Sequence, residues 1–130
     1  MAGMKCVVVT PEKAVLDEPA DFVVVPMFDG ELGVAPGRLP IIGRLGFGEV
    51  RITQAGTIKH LFIDGGFVQI RGNFVTLLTS KAVFAKDINV GAAQAVLRST
   101  QPATTPEAQD ARNKSEQRAR VQIRIASKSQ

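Results

Sequence analysis

Short runs of β-branched and other apolar residues, separated by turn residues, fill the first 85 residues and constrain the fold most strongly. The runs include "KCVVVT", "FVVVPM", "GEVRIT", "TIKHLFI", "FVQIRG" and "FVTLLTS", and the separators include "DEPAD", "FDG", "APG", "GFG", "QAG" and "DGG". Such alternation is typical of strands joined by tight turns. It predicts about ten short strands in a flattened β-sandwich or barrel rather than βαβ units. Within it, "GEVRITQAGTIKHLFIDGG" predicts a β-hairpin around "QAG".

From residue 86 onward the pattern changes to helical spacing, broken once by "QPATTP". Two helices joined by a short loop predict a C-terminal αα-hairpin. Thr105 is the expected N-cap of the second helix, with Pro106 at its first position and Glu107 in its first turn. The apolar faces are predicted at Ile88, Ala92, Ala95 and Val96 in the first helix, and at Ala108, Ala111, Ala119, Ile123 and Ala126 in the second. So thin a stripe indicates a helix that packs weakly or awaits a partner.

Charge divides the chain at the same place. Residues 1–85 carry eight basic and eight acidic side chains, whereas residues 86–130 carry eight basic and four acidic ones and so hold all of the net charge of +4. The change in composition predicts a β-sandwich domain at 1–85 and a helical, regulatory part at 86–130.

Several classes of protein are disfavoured by the composition. The apolar run Phe22–Met27 is far shorter than the ~20 residues of a membrane span, and the N-terminus lacks the pattern of a signal peptide. A single cysteine, Cys6, cannot form an internal disulfide and fits a reducing compartment. We therefore expect a cytoplasmic protein.

Catalytic chemistry finds little support in the sequence. Cys6, His60 and Asp64 have the residue types of a nucleophilic set, but Cys6 lies in an apolar strand and Asp64 lies in the turn sequence "DGG". One histidine and one cysteine are too few for a transition-metal site. No catalytic residue and no metal are expected.

The segment "GELGVAPG" at 30–37 is an unusually apolar loop. It is not a phosphate loop, because it lacks the Lys-Ser/Thr of that motif and no helix follows it. Gly33 and Gly37 are expected to adopt positive φ in a turn between strands. The turn alone does not explain Leu32, Val34 and Leu39, which are interpreted as a docking surface.

The second helix carries a basic cluster, for which three interpretations remain open: nucleic-acid binding, a solvated face, and an acidic protein partner. The pairs Asp110–Lys114 and Glu116–Arg120 favour a solvated face, and the shortage of aromatic residues disfavours single-stranded nucleic acid. The cluster consists of Arg112, Lys114, Arg118, Arg120 and Arg124.

Three phrases in this order carry a resemblance to a known family. They are "TPE" at 10–12, "VPMFDGELGVAPGRLPII" at 25–42 and "GGF" at 65–67. In these phrases and in its two-part architecture, the chain closely resembles the ε subunit of F-type ATP synthases. The resemblance is specific over 4–85, and over 86–130 it extends only to architecture and length.

This resemblance implies a non-catalytic rotor subunit that couples the catalytic head to the c-ring for proton-driven ATP synthesis, peripheral to the cytoplasmic face of the inner or plasma membrane. The sandwich would contact the γ subunit and the c-ring. The family's contact loop corresponds here to Asp29, Gly30, Glu31, Leu32, Gly33, Pro36, Gly37 and Arg38. Glu31 matches the family's contact carboxylate. Arg38 stands where the family usually has His, so a permanent cation replaces a titratable one.

The resemblance also implies a hairpin that folds on the sandwich or extends into the head and inhibits ATP hydrolysis. The basic residues 112, 114, 118, 120 and 124 would then face an acidic segment of the β subunit, and deleting residues 87–130 would raise ATPase activity. Some members bind ATP through "I/L-D-x-x-R-A", which reads "INVGAA" at 88–93 here. Asn89 and Ala92 replace the acid and the arginine, so no nucleotide or other cofactor is expected. The alternative function is a β-sandwich adaptor whose basic tail binds nucleic acid.

Overall fold

The computed structural model describes residues 3–38, 40–98 and 104–129, and in this part of the chain eight strands precede two helices. The strands are β1 (Met4–Val9), β2 (Ala14–Ala20), β3 (Phe22–Met27), β4 (Gly30–Val34), β5 (Ile41–Gln54), β6 (Thr57–Arg71), β7 (Phe74–Leu78) and β8 (Ala82–Phe84). The helices are α1 (Val90–Arg98) and α2 (Pro106–Ala126), with single 3-10 turns at Ala85–Asp87 and Ser127–Ser129. The predicted order of a β domain followed by a helical hairpin is confirmed.

The strands pair in the order β2-β1-β7-β6-β5-β3-β4, and β8 pairs with β6 outside this path. All pairs are antiparallel except β1 with β7. The two longest strands, β5 and β6, pair along their whole length. Different parts of β6 pair with different strands on its other side: residues 61–63 pair with β8, and residues 67–71 pair with β7. The two long strands therefore run through both layers of the sandwich.

Over the described ranges there are eight strands rather than about ten, because β5 and β6 each join two predicted strands. At "GFG" and "DGG" the chain bends but continues pairing, with Leu45 opposite Gly66 and Phe47 opposite Asp64. Gly66 has φ +112°, and a Cβ there would lie 1.9 Å from the Leu78 carbonyl oxygen. Glycine in these positions thus permits a bend and a close approach instead of a reversal of the chain.

The predicted hairpin around "QAG" is confirmed as the connection between β5 and β6. Its two central residues, Ala55 and Gly56, have φ +51° and +81°, as a two-residue turn that follows the strand twist requires. Ala55 is held in this left-handed conformation with its backbone N–H donating to Asp21 Oδ2 at 2.8 Å.

The main core lies between the two layers of strands. Alternate residues of each strand point inward, as expected when a sheet buries one face. The buried members are Met4, Cys6, Val8, Leu16, Ala20, Val23, Val25, Val34, Leu45, Val50, Ile52, Leu61, Ile63, Val68, Ile70, Val75 and Leu77.

The second helix begins where the sequence predicts, since the Thr105 side chain accepts a hydrogen bond from the Ala108 N–H at 3.1 Å and Pro106 is the first helical residue. The predicted apolar faces are wrong in part. In α1 the buried residue is Ala93, and the predicted residues Ala92, Ala95 and Val96 are exposed. In α2 the predicted residues Ala108 and Ala111 are exposed, and the buried residues are Ala119, Ile125 and Ala126. The reason is that α2 contacts the sandwich through its second half, where Arg118, Val121 and Ile125 lie.

Candidate functional site

One face of the β5–β6 pair forms the surface on which the hairpin lies. Three cross-strand pairs make up this face, which we call the docking strip: Phe47 opposite Asp64, Glu49 opposite Phe62, and Arg51 opposite His60. The intervening residues, such as Val50 and Leu61, point into the main core. Residues 61–63 of β6 are therefore buried on both faces, which explains the continuous apolar run "LFI".

A second, smaller apolar core joins the hairpin to the docking strip. Phe62, Ala85 and Ile125 are buried in it, with Phe62 and Ile125 both at 0% exposure. Phe47 and Val121 pack against this group. Ile125 is thus the apolar anchor of α2, and Ile123, predicted for this role, is only half-buried.

Arg118 ties the middle of α2 to the same strip. Its Nε donates to Asp64 Oδ1 at 2.9 Å, and its guanidinium lies 5.2 Å from the centroid of the Phe47 ring. A partly buried guanidinium that contacts both a carboxylate and an aromatic face gains from both interactions. In the docked hairpin Arg118 therefore binds the sandwich itself.

Glu49 anchors the end of the hairpin. Its side chain is 3% exposed, and three groups from different elements surround the carboxylate. Oε1 accepts hydrogen bonds from Arg51 Nη1 at 2.9 Å and from Lys128 Nζ at 2.8 Å, and Oε2 lies 2.9 Å from His60 Nδ1. Lys128, in the 3-10 turn that follows α2, is the hairpin's contribution to this cluster.

Burial raises the pKa of Glu49, but the hydrogen bonds from Lys128, Arg51 and His60 outweigh it, and the pKa lies below its usual value. A carboxyl whose pKa is lower in the folded state stabilises that state above its unfolded pKa, and this stabilisation disappears as the pH falls through the folded pKa. The contribution of Glu49 is therefore present at neutral pH and lost in acid.

We accordingly expect the difference in melting temperature between the parent and Glu49→Gln to shrink as the pH falls from 7 toward 3. Protonated Glu49 resembles glutamine, and every other carboxyl titrates in both proteins. Thermal melts followed by circular dichroism at unit pH intervals measure this difference. A difference that stays constant over the range would show that the ionised Glu49 contributes nothing.

Arg51 extends the cluster to the predicted contact loop. Besides Glu49, its guanidinium contacts both carboxylate oxygens of Glu31, with Nη1 3.2 Å from Oε2 and Nη2 3.5 Å from Oε1. The Glu31 side chain is 56% exposed. An open cleft of about 520 Å³ separates this region from the end of α2, and Arg124 and Lys128 are among the residues that line it.

The predicted contact loop is spread over two places. Asp29 lies in the turn between β3 and β4 and Gly30 begins β4, next to Glu31, whereas Pro36, Gly37 and Arg38 follow the far end of β4. Five residues of strand cover roughly 15 Å, at about 3.3 Å each. Glu31 and Arg38 therefore do not converge on one site, although Arg38 and Asp29 are both exposed.

The predictions for the apolar residues of this loop need correction. Val34 is fully buried in the main core and Leu32 packs partly against it, so neither is a freely exposed docking residue; Leu39 lies outside the described residues. Gly37 has the expected positive φ of +86°. Gly33 does not; a Cβ there would lie 2.8 Å from the Phe22 ring, so this glycine permits close packing instead.

A different apolar surface lies on the outer side of the sheet, away from the main core. Phe67 and Leu78 lie directly opposite each other on β6 and β7, with 57% and 51% of their area exposed. Ile42, 74% exposed, is diagonal to Phe67 on β5, and Phe74 points the same way farther along β7. We call these four residues the outer apolar patch.

Each side chain considered above for catalysis or nucleotide binding has a contact within the fold that accounts for its position. Burial, and secondarily the charge of Glu18, raises the pKa of the Cys6 thiol to about 12, so this cysteine stays protonated at neutral pH. His60 lies against Glu49 and Asp64 binds Arg118. Asn89 Oδ1 accepts the N–H of Ala92 at 2.9 Å, and asparagine caps a helix as well as aspartate does.

The basic residues of α2 do not form one free face. Lys114 and Arg120 pair within the helix, with Asp110 at 3.2 Å and Glu116 at 3.7 Å, as predicted. Arg118 binds the sandwich, Arg124 lines the cleft and Arg112 is half-buried.

Sequence reasoning missed the residues that hold the hairpin and the outer apolar patch. Glu49 and Arg51 lie in the predicted strand "GEVRIT" and Lys128 follows the predicted basic cluster, and no local pattern connects the three residues. A signal for the patch was present, because "FV" at 67–68 and 74–75 and "LL" at 77–78 place apolar residues on both faces of a strand.

Comparison with known proteins gives consistent results. Residues 3–85 match the family model described as ATP synthase, Delta/Epsilon chain, beta-sandwich domain. The ATP synthase epsilon chain of Rhodopirellula baltica is 43% identical over 126 residues, covering 95% of this chain and 98% of that relative. The epsilon chain of Symbiobacterium thermophilum is 41% identical over 91 residues, covering 69% of this chain and 66% of the relative.

Solved structures show the same fold. A chain from the central stalk and c-ring of Tetrahymena thermophila mitochondrial ATP synthase superposes with a TM-score of 0.73 at 17% identity, covering 95% of this chain and 96% of that one. A chain of the Euglena gracilis mitochondrial enzyme gives 0.70 at 18% identity, covering 98% and 79%. Across the residues that the structure describes, neither helix has the length and apolarity to cross a membrane.

Proposed function

Since this chain belongs to the family of ATP synthase epsilon chains, we propose that it is a non-catalytic subunit of the central stalk that couples the catalytic head to the c-ring during ATP synthesis. It would lie at the cytoplasmic face of the membrane, held there through the complex. The observation that carries this proposal is an apolar surface available for a protein partner on a fold whose own core is complete without it.

The outer apolar patch is the proposed contact with the γ subunit. Its members face away from the main core, and exposed apolar side chains that adjoin one another typically mark protein interfaces. Arg44, opposite Phe67, and Arg71, opposite Phe74, supply polar groups at its margin. Such an arrangement suits the central aromatic contacts and polar rim of a protein interface.

The contact with the c-ring is proposed for the loop residues around Glu31, as the family pattern implies. Asp29, Gly30 and Glu31 form the tip of the β3–β4 hairpin, and Asp29 and Glu31 give this tip two exposed carboxylates. Leu32, Gly33 and Pro36 support the shape of the loop. Gly37 and Arg38, at the other end of β4, would contact a different part of the stalk or ring.

Binding to a complex that contains the γ subunit tests the proposal. We expect Phe67→Ser to weaken binding of the chain by about 30-fold, the ~2 kcal/mol typical of a central aromatic contact. Fluorescence titration of the labelled chain into ATP synthase depleted of its own epsilon chain measures this.

Ile58→Ser is the matched control, because Ile58 is 50% exposed on β6 but lies outside the patch. Circular dichroism checks that both variants fold. Equal binding of the two variants would exclude the patch as the contact, and binding of neither variant nor parent would exclude the proposed function.

For the hairpin we propose an inhibitory role in its extended state. Release from the sandwich frees Arg118 from Asp64 and withdraws Arg124 from the cleft. Together with Arg112, Lys114 and Arg120 these residues would face an acidic segment of the β subunit. The same cations would otherwise suit nucleic acid, but the docked contacts of Arg118 favour a carboxylate-bearing protein partner.

A further inference from the structure

Glu31 and the end of the hairpin are linked through one shared guanidinium. Arg51 contacts Glu31 on one side and Glu49 on the other, and Glu49 in turn holds Lys128. The link joins the exposed tip of the β3–β4 hairpin to the last residues of the docked helical hairpin. No direct contact between Glu31 and Lys128 is needed for this connection.

The charges of this chain of contacts balance only when the hairpin is docked. The sandwich contributes Glu31, Glu49 and Arg51, a net charge of −1, and Lys128 brings the sum to zero. A sandwich-side carboxylate that loses its charge, or gains an outside cation, therefore reduces the attraction for Lys128. When Glu31 loses its charge, Arg51 is also free to bind Glu49 more fully. Arg51 then competes with Lys128 for Glu49 Oε1, the oxygen to which both donate in the docked state.

We propose that a cationic side chain of a partner that binds Glu31 loosens the docked hairpin, and that docking of the hairpin weakens binding at Glu31 to the same degree. Reciprocity follows because both events draw on the same equilibrium. Glu31 is accessible for such contact, whereas Glu49 is buried. The inference rests on the proposed function only for the source of the cation, which would be a lysine or arginine of the c-ring.

The full-length chain in solution tests the coupling without any partner. Spin labels at Glu12→Cys and Gln117→Cys report the distance between the sandwich and α2, since both positions are exposed. Cys6 is buried and its thiol pKa is raised to about 12, so the introduced cysteines take the label. Pulsed electron paramagnetic resonance then gives the ratio of released to docked molecules.

Glu31→Gln is expected to raise this ratio about two- to five-fold, the range for one partly exposed ion pair. The matched control is Asp29→Asn, which removes the same charge two residues away at an exposed position of the turn. Adding Lys128→Gln should abolish the response to Glu31→Gln, because the competing cation is then gone.

An equal effect of Glu31→Gln and Asp29→Asn would overturn the shared role of Arg51 in favour of a general field. No effect of Glu31→Gln, or an undiminished effect in the Lys128→Gln background, would overturn the coupling itself. Each of these results leaves the binding experiment with Phe67→Ser unaffected, so failure of the coupling is distinguishable from failure of the proposed function.

Discussion

Replacing Ile125 by Ala is expected to release the helical hairpin while leaving the sandwich folded. Ile125 is fully buried against Phe62 and Ala85, and removing its side chain costs about 2–5 kcal/mol. It has no place in the main core, so the loss falls on the docking equilibrium alone. The labels at 12 and 117 should report a shift of more than ten-fold toward released molecules.

Ile123→Ala provides the matched control, because Ile123 is the same residue type in the same turn but only half-buried, and its truncation should shift the ratio far less.

In the assembled complex, Ile125→Ala should lower ATP hydrolysis by favouring the extended hairpin, whereas deletion of residues 87–130 should raise it. If both changes move hydrolysis in the same direction, the proposed inhibitory role is wrong.

The largest effect on the sandwich is expected from Gly66→Ala, at about 3–5 kcal/mol of unfolding free energy. A Cβ at this position would lie 1.9 Å from the Leu78 carbonyl oxygen, and φ there is +112°. Neither strain can relax without separating β6 from β7. Urea unfolding followed by circular dichroism measures the loss.

Gly72→Ala separates the two sources of strain. Gly72 also has positive φ, +59°, but nothing lies within 4 Å of a Cβ there. Its substitution should cost about 1–2 kcal/mol, the ordinary penalty of a left-handed residue. Similar losses in both variants would mean that the close approach of Leu78 contributes no strain.

Local sequence signals predicted much of the fold. Alternation and turn residues predicted the sandwich, "QAG" located the hairpin turn, and the Thr105-Pro106 pair located the start of α2. Each of these depends on residues close together in the chain, whose preferences act without tertiary contacts.

The remaining features depend on contacts between distant residues. Whether "GFG" and "DGG" reverse or merely bend the chain depends on pairing with neighbouring strands. Which side of α2 is buried depends on the position of Phe62, and a thin stripe of alanines does not reveal it. The role of Glu49 requires knowing that Lys128 lies beside it, 79 positions along the chain.

The docking strip has a consequence for solubility once the hairpin leaves. Phe62 is fully buried, at 0% exposure, in the smaller core that α2 covers. When α2 leaves, the Phe62 ring is therefore exposed to water. An extended hairpin thus leaves an exposed apolar surface around Phe62, which either is covered by the surrounding assembly or binds a second copy of this chain.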